Sequence, residues 1–80
     1  MASATYYIKW DGVGNPGREQ IDGLYNALKD RHPRVNLKRS SYDNDLHSWE
    51  VEVKGAQGTL QNSWENALPT INQHGFIPVA

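Results

Sequence analysis

Apolar and polar residues alternate between Thr5 and Trp10, with Tyr6, Ile8 and Trp10 on one side and Thr5, Tyr7 and Lys9 on the other. A period of two marks a half-buried strand. The period changes beyond a glycine-rich stretch, Gly12 to Gly17. Ile21, Leu24, Tyr25 and Leu28 recur at helical spacing, which predicts a helix capped by Asn15, with Pro16 at the first helical position, where its missing N–H costs nothing. Gly23 lies inside that helix and is expected to permit close approach to a sheet. Arg31 and His32 suit the negative end of the helix dipole, and Pro33 stops the helix.

Val35 to Ser41 alternates again, as does Ser48 to Lys54. Setting Val35 opposite Val53, Leu37 opposite Val51 and Arg39 opposite Trp49 gives one largely apolar face and leaves Lys38 facing Glu50 on the other. A slip by one residue would set Leu37 against Glu50 and mix the faces. This register predicts an odd-length hairpin loop centred near Asn44, a residue that tolerates positive φ. Gly55 to Gly58 breaks the pattern. Leu60, Trp64, Ala67, Leu68 and Ile71 then form the stripe of a second helix. Pro69 is expected to kink that helix or restart its last turn, and Gly75 to stop it. Phe76 to Val79 reads as a short last strand, which Pro78 confines to an edge or an end.

The order strand, helix, strand, strand, helix, strand predicts an α+β fold of the ferredoxin-like split βαβ type (βαββαβ), a four-stranded antiparallel sheet with two helices on one face. The first and third strands are expected at the centre, the fourth at one edge and the second at the other. Residues 1–80 are expected to form a single domain, near the size at which one core is barely sufficient. Only 38% of the residues are apolar, so Trp10, Trp49, Trp64, Tyr25 and Phe76 carry the core. Arg39 is expected to stack on Trp49 at its rim.

Charge narrows the functions. Eight basic and nine acidic residues give a formal net charge of −1, without the excess of positive charge that phosphate backbones reward. An RNA-recognition sheet of this topology needs stacking aromatics on its two central strands. Here only Tyr7 qualifies, and nucleic acid is not the expected partner. The chain has no cysteine, which excludes disulfides, thiolate metal sites and thiol catalysis and favours a cytoplasmic location. The first residues lack the pattern of a signal peptide, and no apolar run reaches membrane-spanning length. His32, His47 and His74 fall in different elements, and Asp43-Asn44-Asp45 lacks the rest of a calcium loop. Neither metal nor cofactor is expected.

The sheet face turned away from the helices should carry Thr5, Tyr7, Lys9, Asn36, Lys38, Ser40, Ser48, Glu50 and Glu52. A solvated face with cross-strand ion pairs is the plain account of such a set. The functional account is a polar docking surface or a sheet-to-sheet dimer. The expected function is accordingly a small non-enzymatic protein-interaction module of the inhibitor or adaptor kind, such as the stand-alone antagonists that phages encode. It would bind another protein, or a second copy of itself, through Tyr7, Lys9, Lys38, Ser40, Glu50 and Glu52, or by adding a strand at the edge Val35 to Ser41.

The glycine-rich stretch offers an alternative. It matches G-x-G-x-x-G, yet eighty residues cannot supply the doubly wound sheet of a dinucleotide fold. Free N–H groups at a helix N-terminus beside Arg18 suit a phosphate or carboxylate. Followed by Arg18, and with Asn36 on the next strand, the loop resembles that of acylphosphatases. The resemblance implies an anion-binding or hydrolase site built from Gly14, Gly17, Arg18 and Asn36, with the asparagine positioning water. It extends over this loop alone: Pro16 replaces one donor of the cradle, and the downstream Asn-x-x-Asp-Gly-x-Val pattern of that family is absent.

Overall fold

A computed structural model describes residues 1–79 of the chain. Its elements are β1 (Ala2–Trp10), α1 (Arg18–Arg31), β2 (Val35–Asp43), β3 (Ser48–Gly55), α2 (Leu60–Gln73) and β4 (Phe76–Pro78). The four strands form one antiparallel sheet in the order β2-β3-β1-β4, an α+β architecture with β1 and β3 at the centre.

The alternation seen in the sequence decides which face is covered. Ile8, Val35, Leu37, Trp49, Val51, Val53 and Phe76 from the strands share one buried cluster with Leu24, Leu28, Trp64, Ala67 and Ile71 from the helices. The strand members have matching side-chain parity, so both helices lie against the same face. Aromatic pairs tie the cluster together. Tyr6 stacks on Trp64 with ring centroids 4.4 Å apart, and Phe76 meets Trp10 and Trp49 edge-on at 5.2 and 5.7 Å. β1 starts at Ala2, earlier than its alternation indicates, because Ala2 to Tyr6 pair along β3 from Gly55 to Val51.

Several local expectations are corrected. α1 begins at Arg18 and its N-cap is Gly17, in extended geometry (φ −75°, ψ 167°); Asn15 and Pro16 lie outside the helix. The Gly17 carbonyl accepts the first helical bonds, from the Gln20 and Ile21 amides at 3.1 and 3.2 Å. Glycine loses the most entropy when fixed inside a helix, and the helix starts just beyond it. Pro69 sits inside α2 without ending it. Pro69 and Glu65 are both exposed, so the carbonyl left without its donor lies on the solvent side of the helix, where water can serve it. Gly75 stops α2 as expected, at φ +86°.

The hairpin follows the expected register only as far as Lys38 and Glu50. Beyond it the pairing shifts to Asp43 opposite Ser48, and the Arg39–Trp49 pair is not made. At the break the Ser41 hydroxyl donates to the Lys38 carbonyl (2.6 Å) and accepts from the Glu50 amide (2.7 Å). The extra residues of β2 bulge out around this bridge. The loop between Asp43 and Ser48 is even, and its positive φ falls on His47 (51°), not on Asn44. The Asp43 carboxylate closes it as an Asx turn, accepting from the Asp45 and Leu46 amides at 2.8 and 3.1 Å.

Trp10 explains part of the glycine-rich stretch. A Cβ on Gly12 would lie 2.5 Å from the indole, and one on Gly75 would lie 2.6 Å from its other edge. Two glycines thus form a slot for one large ring. The Asp11 amide donates to the Gly75 carbonyl at 2.9 Å and holds the walls together. Gly23, by contrast, faces the His74 ring on α2 at van der Waals distance, not the sheet.

Candidate functional site

A groove of about 680 Å³ runs between α1 and the edge strand β2. Arg18, Ile21, Asp22 and Tyr25 form its helical wall, and Asn36, Leu37, Arg39 and Ser40 its strand wall. A second hollow of about 310 Å³ shares Tyr25 and Asn36 with it and continues past Lys29, Arg34, Glu52 and Lys54. Arg18, Asp22, Tyr25 and Lys29 recur at helical spacing, which brings them to one side of α1.

Arg39 is the residue that sequence reasoning misplaced. The register break frees it from Trp49, and its guanidinium lies 4.1 Å from the centre of the Tyr25 ring while donating to the Asp22 carboxylate at 2.9 Å. Tyr42 occupies the place against Trp49, with ring centroids 4.5 Å apart. The Asp22–Arg39 pair is half exposed, so it adds little stability and mainly fixes the shape of the groove floor. Lys29, Arg34 and Lys54 were not foreseen as members of any site. The signal available for Lys29 was its place in the spacing that carries Arg18, Asp22 and Tyr25.

β2 also offers peptide groups. It pairs with β3 alone. The Lys54 amide donates to the Arg34 carbonyl at 2.9 Å. Alternation in an antiparallel ladder then turns the peptide groups of Asn36 and Lys38 toward β3, and the N–H and C=O of Leu37 outward to the open edge.

The uncovered face holds most of the residues assigned to it. Tyr7, Glu50 and Lys38 form one row across three strands; Thr5, Glu52 and Asn36 form the next. Lys9 stands beside Ser48 and Ile77. Three details differ. Ser48 is buried, Ser40 lines the α1–β2 groove beyond the register break, and the ion pair formed there runs along β3, from Lys54 to Glu52 (3.5 Å). Lys38 and Glu50 face each other in register, but among the described residues neither forms an ion pair. Tyr7 is the exposed aromatic of this face.

Of the alternative anion set, Arg18 and Asn36 line the same groove, whereas Gly14 and Gly17 do not. Gly14 sits in an exposed loop at φ +72° with nothing within 4 Å of its Cβ direction. The Gln20 side chain folds back over Gly17, its Oε1 2.7 Å from where a Cβ would stand, across the start of the helix. Only half of that set is brought together.

The histidines are dispersed. His32 Nε2 pairs with the Thr70 hydroxyl (3.3 Å), His47 Nδ1 with the Tyr42 hydroxyl (3.0 Å), and His74 caps α2. Among the described residues no group of three histidine, cysteine or acidic side chains could hold a metal ion. No helix among them is long and apolar enough to cross a membrane. No protein-family model, curated protein or solved structure matches the chain.

Proposed function

We propose that this chain is a small non-enzymatic protein-interaction module, of the inhibitor or adaptor kind, which takes up an extended segment of another protein along the open edge of β2. The observation that carries the reading is the outward-facing peptide group of Leu37, placed beside a groove that α1 walls. Strand addition needs both parts: main-chain hydrogen bonds supply affinity, and a groove for alternate side chains supplies selectivity. The uncovered sheet face with Tyr7, Lys9, Lys38, Glu50 and Glu52 is the competing surface, a polar ladder formed by the rows Tyr7–Glu50–Lys38 and Thr5–Glu52–Asn36. The assignment to the ferredoxin-like type belongs to the same proposal, supported by the element order and by the outer positions of β2 and β4. A cytoplasmic setting also belongs to it, supported by the cysteine-free sequence.

The test is amide hydrogen exchange on the full chain, free and with peptides selected from a random display library. The Leu37 amide should exchange quickly in the free protein and become protected in the complexes. Chemical-shift changes centred on Tyr7, Lys9 and Glu50, with Leu37 still exchanging, would move the site to the uncovered face. Concentration-dependent protection without peptide, with a dimer in light scattering, would identify the partner strand as β2 of a second copy.

A second reading is an anion-binding or acylphosphatase-like site, supported by the meeting of Arg18 and Asn36 in one groove. It predicts that inorganic phosphate raises the Tm of the native chain and that Arg18→Ala abolishes the rise. Absence of any phosphate effect on the native chain ends it.

A further inference from the structure

The groove differs in charge from the molecule that contains it. The chain as a whole is slightly acidic, at −1. The two hollows along β2 are lined by Arg18, Lys29, Arg34, Arg39 and Lys54 against Asp22 and Glu52 alone. Both acids are engaged, Asp22 by Arg39 at 2.9 Å and Glu52 by Lys54 at 3.5 Å. Among the described residues Arg18, Lys29 and Arg34 have no acidic side chain within ion-pair distance, and all three are exposed. Positive charge is therefore concentrated along an edge where the backbone can accept a strand.

Dimensions agree with that pairing. From Arg18 to Lys29 the helical wall is roughly 16 Å long at the rise of an α-helix. An extended segment covers that distance in about five residues. Its side chains alternate between the two sides of the strand, so every second one faces the groove. Tyr25, half buried at the middle, and the Arg39 guanidinium stacked on it make a flat floor under that row.

Resting on the reading that the β2 edge takes a strand, we infer that the occupant is an acidic extended segment of another protein, with carboxylates at alternate positions that meet Arg18, Lys29 and Arg34. Arginine pairs with carboxylates through parallel N–H donors, and complementary potential speeds encounter and rejects the wrong partner. A nucleic-acid strand fits less well. It has no use for the Leu37 peptide group, and Asp22 and Glu52 would face its phosphates.

The experiment is fluorescence anisotropy with the full chain and four labelled probes: peptides of about ten residues, the upper length of ordinary strands, alternating Thr with Glu, Gln or Lys, and an oligodeoxythymidine. The Glu peptide should bind, the Gln peptide about tenfold more weakly, as expected for one or two lost charge-assisted contacts, and the Lys peptide not at all. Binding should weaken as salt shortens the screening length. The variant Arg18→Glu with Arg34→Glu should lose the Glu peptide by at least about tenfold while its circular dichroism and Tm stay near those of the native chain. Equal binding of the Glu and Gln peptides, with Leu37 protected from exchange in both, overturns the acidic preference and leaves strand addition standing. Binding of the Glu peptide without protection of Leu37 overturns strand addition. Tighter binding of the oligonucleotide at the same salt, or failure of all four probes, overturns the inference.

Discussion

Along β4 the sheet ends in three residues, Phe76–Pro78, whereas along β2 it ends in nine, Val35–Asp43. The short edge is sealed from within. Phe76 is buried against Trp10 and Trp49, and Trp10 is held between Gly12 and Gly75. Pro78 contributes no N–H, so β4 offers a poor template for another strand. The long edge has no such stop. Leu37 turns its peptide group outward, and the side chains beside it are charged, half exposed and paired in part. Within one sheet β4 is built for stability and β2 is left available, and substitutions at the two strands should therefore act on different properties.

Phe76→Ala should have the largest effect. Loss of this buried ring is expected to cost about 3–5 kcal/mol, read as a lower urea midpoint. For a domain this small such a loss takes most of its stability. Gly75→Ala comes next, at about 2–3 kcal/mol from left-handed strain and the clash with the Trp10 ring. A tolerated alanine there would show that the Trp10 slot opens easily. At the other edge Arg39→Ala should cost only about 0.5–1 kcal/mol, the value of an exposed cation–π contact and surface ion pair, while peptide binding falls more steeply. A stability loss as large as that of Phe76→Ala would make the groove floor part of the core and remove the contrast between the edges.

Gly23→Ala should act on neither edge. Its new methyl would sit at ordinary contact distance from His74, 3.6 Å from Nδ1, and the gain in helix propensity should stabilise the chain by about 0.5–1 kcal/mol. Thermal melting with unchanged peptide affinity checks it; a loss of stability would mean that His74 cannot accommodate the methyl.

Much of the architecture was legible because it is written in local periods. Alternation at Thr5 to Trp10 and at Ser48 to Lys54, and the stripe from Leu60 to Ile71, fix which side of each element is buried without reference to its neighbours. The pairing of Val35 with Val53 and Leu37 with Val51 followed because it sets apolar residues opposite one another, whereas a slip by one residue mixes the faces. The stop at Gly75 followed from the conformational freedom of glycine. The sites were less legible. Tyr7, Lys9, Lys38, Glu50 and Glu52 could be placed on the uncovered face, but not ranked against a groove that no single segment contains.

What the sequence could not fix, the tertiary structure decided, and in each case the cause lies between segments. The Ser41 hydroxyl inserts between Lys38 and Glu50 and ends the expected register, because a side chain can compete with the ladder when its donor and acceptor are nearby. That break sends Arg39 to Tyr25 and Asp22 on α1, and turns Ser40 into the groove. Gly12 is explained by Trp10 and Gly75 together, residues that only the pairing of β1 with β4 makes neighbours. The glycine-rich stretch, suggestive of a phosphate cradle as a motif, owes its first glycine to the slot for an indole. Periodicity specifies faces because it is a property of one segment; grooves, slots and edges are properties of several, and arise only when the segments pack.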